Sequence, residues 1–182
     1  MKSPLVKRIL AVAMTLACMI GVTILTAKFE DPNGNPVLHI GPFREKPVVH
    51  DLGPVPAFTV EGLKDADLKG KPRLVVMFAS WCGPCRIEEP VLIKLSKSIP
   101  IYGVAVTDEE KSLERYLKRE NPYSKVGFDG DGAVGIAFGV EGLPTSFIVN
   151  ADGHIVWRHD GPLSPDDATD AILPLMDELN GS

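Results

Sequence analysis

Two cysteines three positions apart, in the run Trp81-Cys82-Gly83-Pro84-Cys85, follow directly on the apolar stretch Leu74 to Phe78. Thiols at that spacing can form and break a reversible disulfide. A strand that delivers the first cysteine to the start of a helix aims unpaired N–H groups and the positive dipole end at its sulfur, favouring the thiolate. Lowering a cysteine pKa from about 8.5 toward about 7 gives a competent nucleophile near neutral pH, and a second thiol one turn on can resolve the mixed disulfide. Cys82 is therefore assigned to attack and Cys85 to resolution. The alternatives are half a zinc site or a structural bridge. Structural zinc takes four Cys or His ligands, and the chain offers no second CxxC and no HxxxH. The third cysteine, Cys18, lies in a hydrophobic N-terminal segment. No metal and no cofactor are expected.

The flanking pattern supplies the elements this chemistry needs. Leu74–Phe78 reads as a buried central strand, preceded by a short strand at Ala57–Val60 and a polar turn over Asp65–Pro72. After Cys82, Ile87, Val91, Leu92 and Leu95 recur at helical spacing, predicting a helix to about Lys97 that Pro90 kinks. Ile101–Val106 reads as another buried strand, followed by a charged helix over Glu109–Arg119. Asn121–Gly132 is turn-rich, with Asp129-Gly130-Asp131-Gly132 marking a reversal before a short helix at Ala133–Phe138. Its likeness to a calcium loop fails on the acidic spacing and the missing terminal Glu. Ser146–Val149 and Ile155–Arg158 flank the hairpin signal Asn150-Ala151-Asp152-Gly153, and Ser164-Pro165-Asp166-Asp167 opens a last helix. The sum is βαβ followed by αββα.

Lys2, Lys7 and Arg8 precede a stretch from Ile9 to Ala27 without a charge. At about 1.5 Å per residue these residues make about 28 Å of helix, close to the roughly 30 Å hydrocarbon core. The expectation is a cytoplasmic tail (1–8), a transmembrane anchor (9–27), a linker rich in Pro and Gly (28–53) and one domain over 54–182 held outside the cytoplasm by the positive-inside rule. A cleaved signal peptide and lipidation at Cys18 are the competing readings of the same segment, and both leave the domain on the same side. The chain's net charge is −5, and without the three basic residues of the first eight the rest carries −8. An acidic exterior argues against nucleic acid as a partner.

The run WCGPC at 81–85, with Pro90 five residues on, resembles the thioredoxin active site. Adding NPY at 121–123, FDGDG at 128–132, FGVEGLPTSFIVN at 138–150 and RHDGPL at 158–163, residues 54–178 resemble the thiol:disulfide interchange proteins of periplasmic cytochrome c biogenesis, the DsbE/CcmG-like family. The resemblance implies an α/β thioredoxin-like fold, a central mixed sheet flanked by helices behind an N-terminal membrane-anchor helix. It makes Trp81, Gly83 and Pro84 supports of the cysteines, Pro144 a cis proline facing them, and Leu143, Pro144 and Thr145 a substrate-binding strip on which Leu143 pairs with an incoming peptide.

Three departures limit what carries over. Val76 stands where typical thioredoxins bury an Asp, Thr145 stands where the cytochrome c maturation proteins often have Glu, and Gly83-Pro84 replaces other dipeptides between the cysteines. Glu88 matches an acidic position of the family; it either tunes the thiols and takes protons or is a solvated carboxylate on the helix face. His154 and His159 are expected at the surface. The function implied is a membrane-anchored periplasmic reductant acting on apocytochrome c or its maturation partners, single-pass in the inner membrane and recharged by a transmembrane thiol electron donor. A general or copper-centre-directed periplasmic thioredoxin is the nearest alternative. A thiol metal chaperone or apocytochrome holdase without turnover is the other.

Overall fold

The computed structural model describes residues 50–119 and 121–181. The expected cytoplasmic tail, the anchor at 9–27 and the linker up to residue 49 lie outside the described residues. Among those described, no helix is long and apolar enough to cross a membrane.

A five-stranded mixed sheet organises the domain in the order β5-β4-β3-β6-β7. Its centre is β3 (Arg73–Phe78), buried at every position as its unbroken apolar run predicts. It pairs in parallel with β4 (Ile101–Val106) and antiparallel with β6 (Thr145–Val149). The edges are β5 (Lys125–Asp129), parallel to β4, and β7 (Ile155–Asp160), antiparallel to β6. Side chains alternate across β3 into two cores. Leu74, Val76 and Phe78 pack with Leu92 and Leu95 of α1 (Gly83–Leu95), with Leu113 and Tyr116 of α2 (Glu110–Leu117) and with Leu175 and Met176 of α4 (Leu173–Asn180). Val75 and Met77 face the opposite core, with Val134 of α3 (Ala133–Ala137), Phe138 and Phe147.

Two elements depart from the sequence reading. The first strand is shorter than Ala57–Val60 and is half of a small hairpin, β1 (Thr59–Val60) with β2 (Leu63–Lys64), followed by a turn of 3-10 helix over Asp65–Leu68. The segment read only as turns contains β5. Its inward positions are Gly127 and Asp129, so strand alternation is present without the apolar residues that advertise it. A Cβ at Gly127 would lie 2.8 Å from Leu63 Cβ and 2.9 Å from Val60 Cγ2, so only hydrogen fits beneath the hairpin. The Asp129 carboxylate accepts from the N–H groups of Val134 (3.2 Å) and Gly135 (2.9 Å), capping α3. The final helix opens as expected: Ser164 N donates to Asp167 Oδ2 (2.8 Å) and Asp167 N to Ser164 Oγ (3.2 Å), before a π-helical stretch, Asp167–Ile172, leads into α4.

Candidate active site

Strand β3 ends at Phe78, and the chain turns through Ala79, Ser80 and Trp81 to start α1. Cys82 N donates to Ala79 O (3.1 Å). Cys82 is the N-cap residue, extended at φ −74° and ψ 112°, and its sulfur accepts from Cys85 N at 3.1 Å. It therefore occupies the position where helix N–H groups and dipole favour a negative charge, as the spacing predicts. The two cysteines are joined at an S–S distance of 2.10 Å, with Cα atoms 5.4 Å apart. Both are buried, but Cys82 also lines an open groove that Cys85 does not reach.

That groove, of about 450 Å³, has Trp81, Cys82, Gly83 and Pro84 on one side and Val140 to Leu143 on the other. The Leu143–Pro144 peptide is cis. Among the described residues Leu143 enters no hydrogen bond. Pro144 lies in a neighbouring depression with Arg158 and Asp160. Thr145 sits beneath this strip instead of on it: fully buried at the start of β6, its hydroxyl donates to Gly142 O (2.9 Å) and Asp160 Oδ1 (3.1 Å).

Several positioning residues escaped the sequence reading. Asp108 accepts from Ser80 Oγ (2.7 Å) and from Ser80 N, pinning the turn that carries Cys82 to the end of β4. Trp81, 62% exposed, is held by its indole N–H donating to Thr107 O (2.9 Å). Thr107 has φ +50°, and a Cβ on Gly132 would lie 2.6 Å from its Oγ1, so this unusual turn depends on a glycine 25 positions away. Arg158 grips Asp160 through Nε (3.0 Å) and a terminal nitrogen (2.8 Å) and donates to Gly139 O (3.0 Å), bracing the approach to the cis proline. Its guanidinium holds the Asp160 carboxyl below the usual carboxylate range. An acid at the strand end and an Arg-x-Asp pair were the available signals, but their partners lie far away in sequence.

Glu88 projects from α1 one turn beyond Cys85 and is fully buried, which removes the solvated helix-face reading. Oε2 accepts from Leu163 N at 2.9 Å, while Oε1 has no hydrogen-bond partner. Burial pushes the carboxyl up to about 7, against the opposing effect of the Leu163 N–H. Val76 belongs to the same core as the cysteines, so the acid on this side of the sheet comes from the helix instead of the strand. His154 and His159 stand apart: His154 contacts Asp51 at 2.9 Å and His159 stacks on Trp157.

A nucleophile position at a helix N-terminus, a partner sulfur one turn on and an open peptide edge opposite make a centre for thiol-disulfide exchange. The Redoxin family profile matches residues 54–173. Thiol:disulfide interchange protein HelX of Rhodobacter capsulatus is 37% identical over 168 residues, 90% of this chain and 92% of that one. CycY of Rhizobium leguminosarum bv. viciae, also a thiol:disulfide interchange protein, is 39% identical over 126 residues, 68% of each chain. The crystal structure of a thiol:disulfide interchange protein of the thioredoxin family from Chlorobium tepidum TLS superposes with a TM-score of 0.58 at 29% identity, covering 68% of this chain and 94% of that one. Matching profile, matching relatives and a bridged Cys82–Cys85 pair at the head of α1 converge: the chain belongs to the redoxin family, among its thiol:disulfide interchange proteins of thioredoxin-like fold.

Proposed function

We propose that the protein is a membrane-tethered reductant working on the periplasmic side, with apocytochrome c or its maturation partners as substrate. The observation that carries the reading is the division of labour between the sulfurs: Cys82 caps α1 and lines the groove, while Cys85 lies behind it. In the reduced protein the Cys82 thiolate attacks a substrate disulfide. One substrate sulfur leaves as a thiolate and the other is held as a mixed disulfide. Cys85 then gives up its proton and attacks Cys82 Sγ, releasing the second substrate thiolate and leaving the Cys82–Cys85 bond. Two electrons have passed to the substrate, and a dithiol donor must return them.

In this scheme Glu88, on the turn after Cys85 and with a partnerless oxygen, receives that proton. A carboxyl poised near neutrality exchanges protons at small cost. The open Leu143 backbone beside the groove suits a short strand-like contact with substrate. The cytochrome assignment rests on the sequence resemblance over 54–178, and the tether on the apolar run Ile9–Ala27.

Replacing Cys85 with Ser tests the scheme. The Cys85→Ser protein is expected to accumulate covalent adducts that dithiothreitol releases and that disappear when Cys82 is also replaced. No adduct from cells making c-type cytochromes would reject the assignment of attack to Cys82. Haem staining of a deletion strain, expected to lose covalent haem and to regain it with added external thiol, checks the substrate.

A further inference from the structure

Trp81 separates the cysteine groove from a second one, of about 420 Å³, that lies between the start of α1 and α2 and is lined by Ser80, Trp81, Arg86, Arg115, Tyr116 and Arg119. Three guanidiniums thus share one concavity in a chain of net charge −5. Each is held by neutral groups. Arg86 donates to Ser80 O (2.9 Å), Arg115 donates to Lys111 O (3.1 Å) and Ser112 Oγ (3.0 Å), and Arg119 stands over the Tyr116 ring at 5.6 Å. None of the three forms an ion pair with a carboxylate among the described residues, although Glu89 of α1 also acts on the Tyr116 hydroxyl from nearby. A guanidinium presents five N–H donors in a planar fork that matches a carboxylate, and these neutral contacts use at most two of the five on any of the three.

We infer that this groove is a docking site for an acidic segment of the polypeptide whose cysteine engages Cys82, the Asp or Glu side chains pairing with Arg86, Arg115 and Arg119. The inference rests on thiol-disulfide exchange at Cys82 and names the partner's chemistry. Trp81 lines both grooves, so a chain extended along the cysteine groove reaches the arginines by passing one exposed ring. A polyanion such as nucleic acid or an anionic bilayer would meet the net negative charge of the rest of the surface, whereas a short acidic run meets the arginines alone.

The test uses the reduced full-length protein in detergent and two synthetic peptides. Each carries one cysteine as its mixed disulfide with 2-mercaptoethanol, flanked by Asp and Glu in one peptide and by Asn and Gln in the other. The acidic peptide is expected to be reduced about tenfold faster at low ionic strength, with the advantage disappearing near about 1 M salt. Arg115→Glu combined with Arg119→Glu is expected to abolish or invert the preference and to leave the rate on bis(2-hydroxyethyl) disulfide, which is neutral and small, at the wild-type value. Arg115→Lys with Arg119→Lys should keep a reduced preference. Equal rates for the two peptides on the wild type, or a preference that survives the double Glu variant, would overturn the inference while leaving the exchange chemistry intact. A wild type inert toward the neutral disulfide would instead overturn the redox reading and this one with it.

Discussion

Glu88 is the residue whose chemistry is most constrained by its surroundings. A carboxyl with no exposed surface, one hydrogen bond from Leu163 N and one oxygen without a partner ionises only near neutrality, its pKa raised to about 7. The folded value lies above the unfolded one, so this group's contribution is fully present below the ordinary carboxylate range and is lost as pH rises through about 7. A shift from 4.5 to about 7 corresponds to about 3 kcal/mol at most. Gln keeps an oxygen for the Leu163 N–H and cannot ionise. Glu88→Gln is therefore expected to gain stability over the wild type progressively between about pH 5 and pH 8, measured by urea unfolding of the disulfide form. A difference between the two proteins that stays flat with pH would mean the carboxyl ionises as freely as in water. If the same carboxyl takes the Cys85 proton, the variant should also release product more slowly while forming the mixed disulfide at the normal rate.

Elements were legible in the sequence where burial and apolar patterning coincide, and hidden where a buried position serves something other than hydrophobic packing. Strands β3, β4 and β6 and helix α1 announce themselves because most of their inward residues are apolar, although Ile87, read as part of the α1 apolar face, is exposed and Glu88 is buried in that face instead. Strand β5 does not, since Gly127 is buried to admit the β1–β2 hairpin and Asp129 is buried to cap α3. The candidate site divides the same way. The cysteines and Pro144 could be read from the motifs, whereas Asp108 and Arg158 act through partners 28 and 19 positions away that only the folded chain brings close. The hidden strand makes a sharp prediction. In Gly127→Ala the new methyl would fall 2.8 Å from Leu63 Cβ, a carbon bonded directly to the backbone that cannot swing aside. The hairpin must lift or β5 must shift, at an expected cost of about 1–3 kcal/mol in urea unfolding. Because neither Gly127 nor the hairpin lines the cysteine groove, exchange with a small disulfide should be unchanged. A stability equal to wild type would show that the hairpin is not packed on β5 as described.

For the molecule as a whole, the question is what the N-terminal residues add to a domain that already holds its site. Leu52, Gly53 and Val55 pair through their backbones with Gly153 and Ile155, so among the described residues the chain is tied into the domain from Leu52 onward. From there each face of β3 is covered by helices or loops of the same domain, and about 130 residues suffice for a stable core. A protein beginning at His50 is thus expected to reduce bis(2-hydroxyethyl) disulfide within about twofold of the full-length rate, since no group described at the site is removed. Its fate in the cell should differ. On the proposed reading, an anchor would confine the domain to the bilayer of its thiol donor, and such confinement replaces a bulk concentration with a far higher local one. The truncated protein, made at equal abundance and exported by a cleaved leader, is expected to accumulate in the Cys82–Cys85 disulfide form, measurable by trapping free thiols with an alkylating mass tag. Full-length protein should stay with membranes through a high-salt wash and remain largely reduced. If the truncated form is as reduced in cells as the full-length one, the tether does not serve recharging. If it is inactive on the small disulfide as well, the domain boundary at His50 is misplaced.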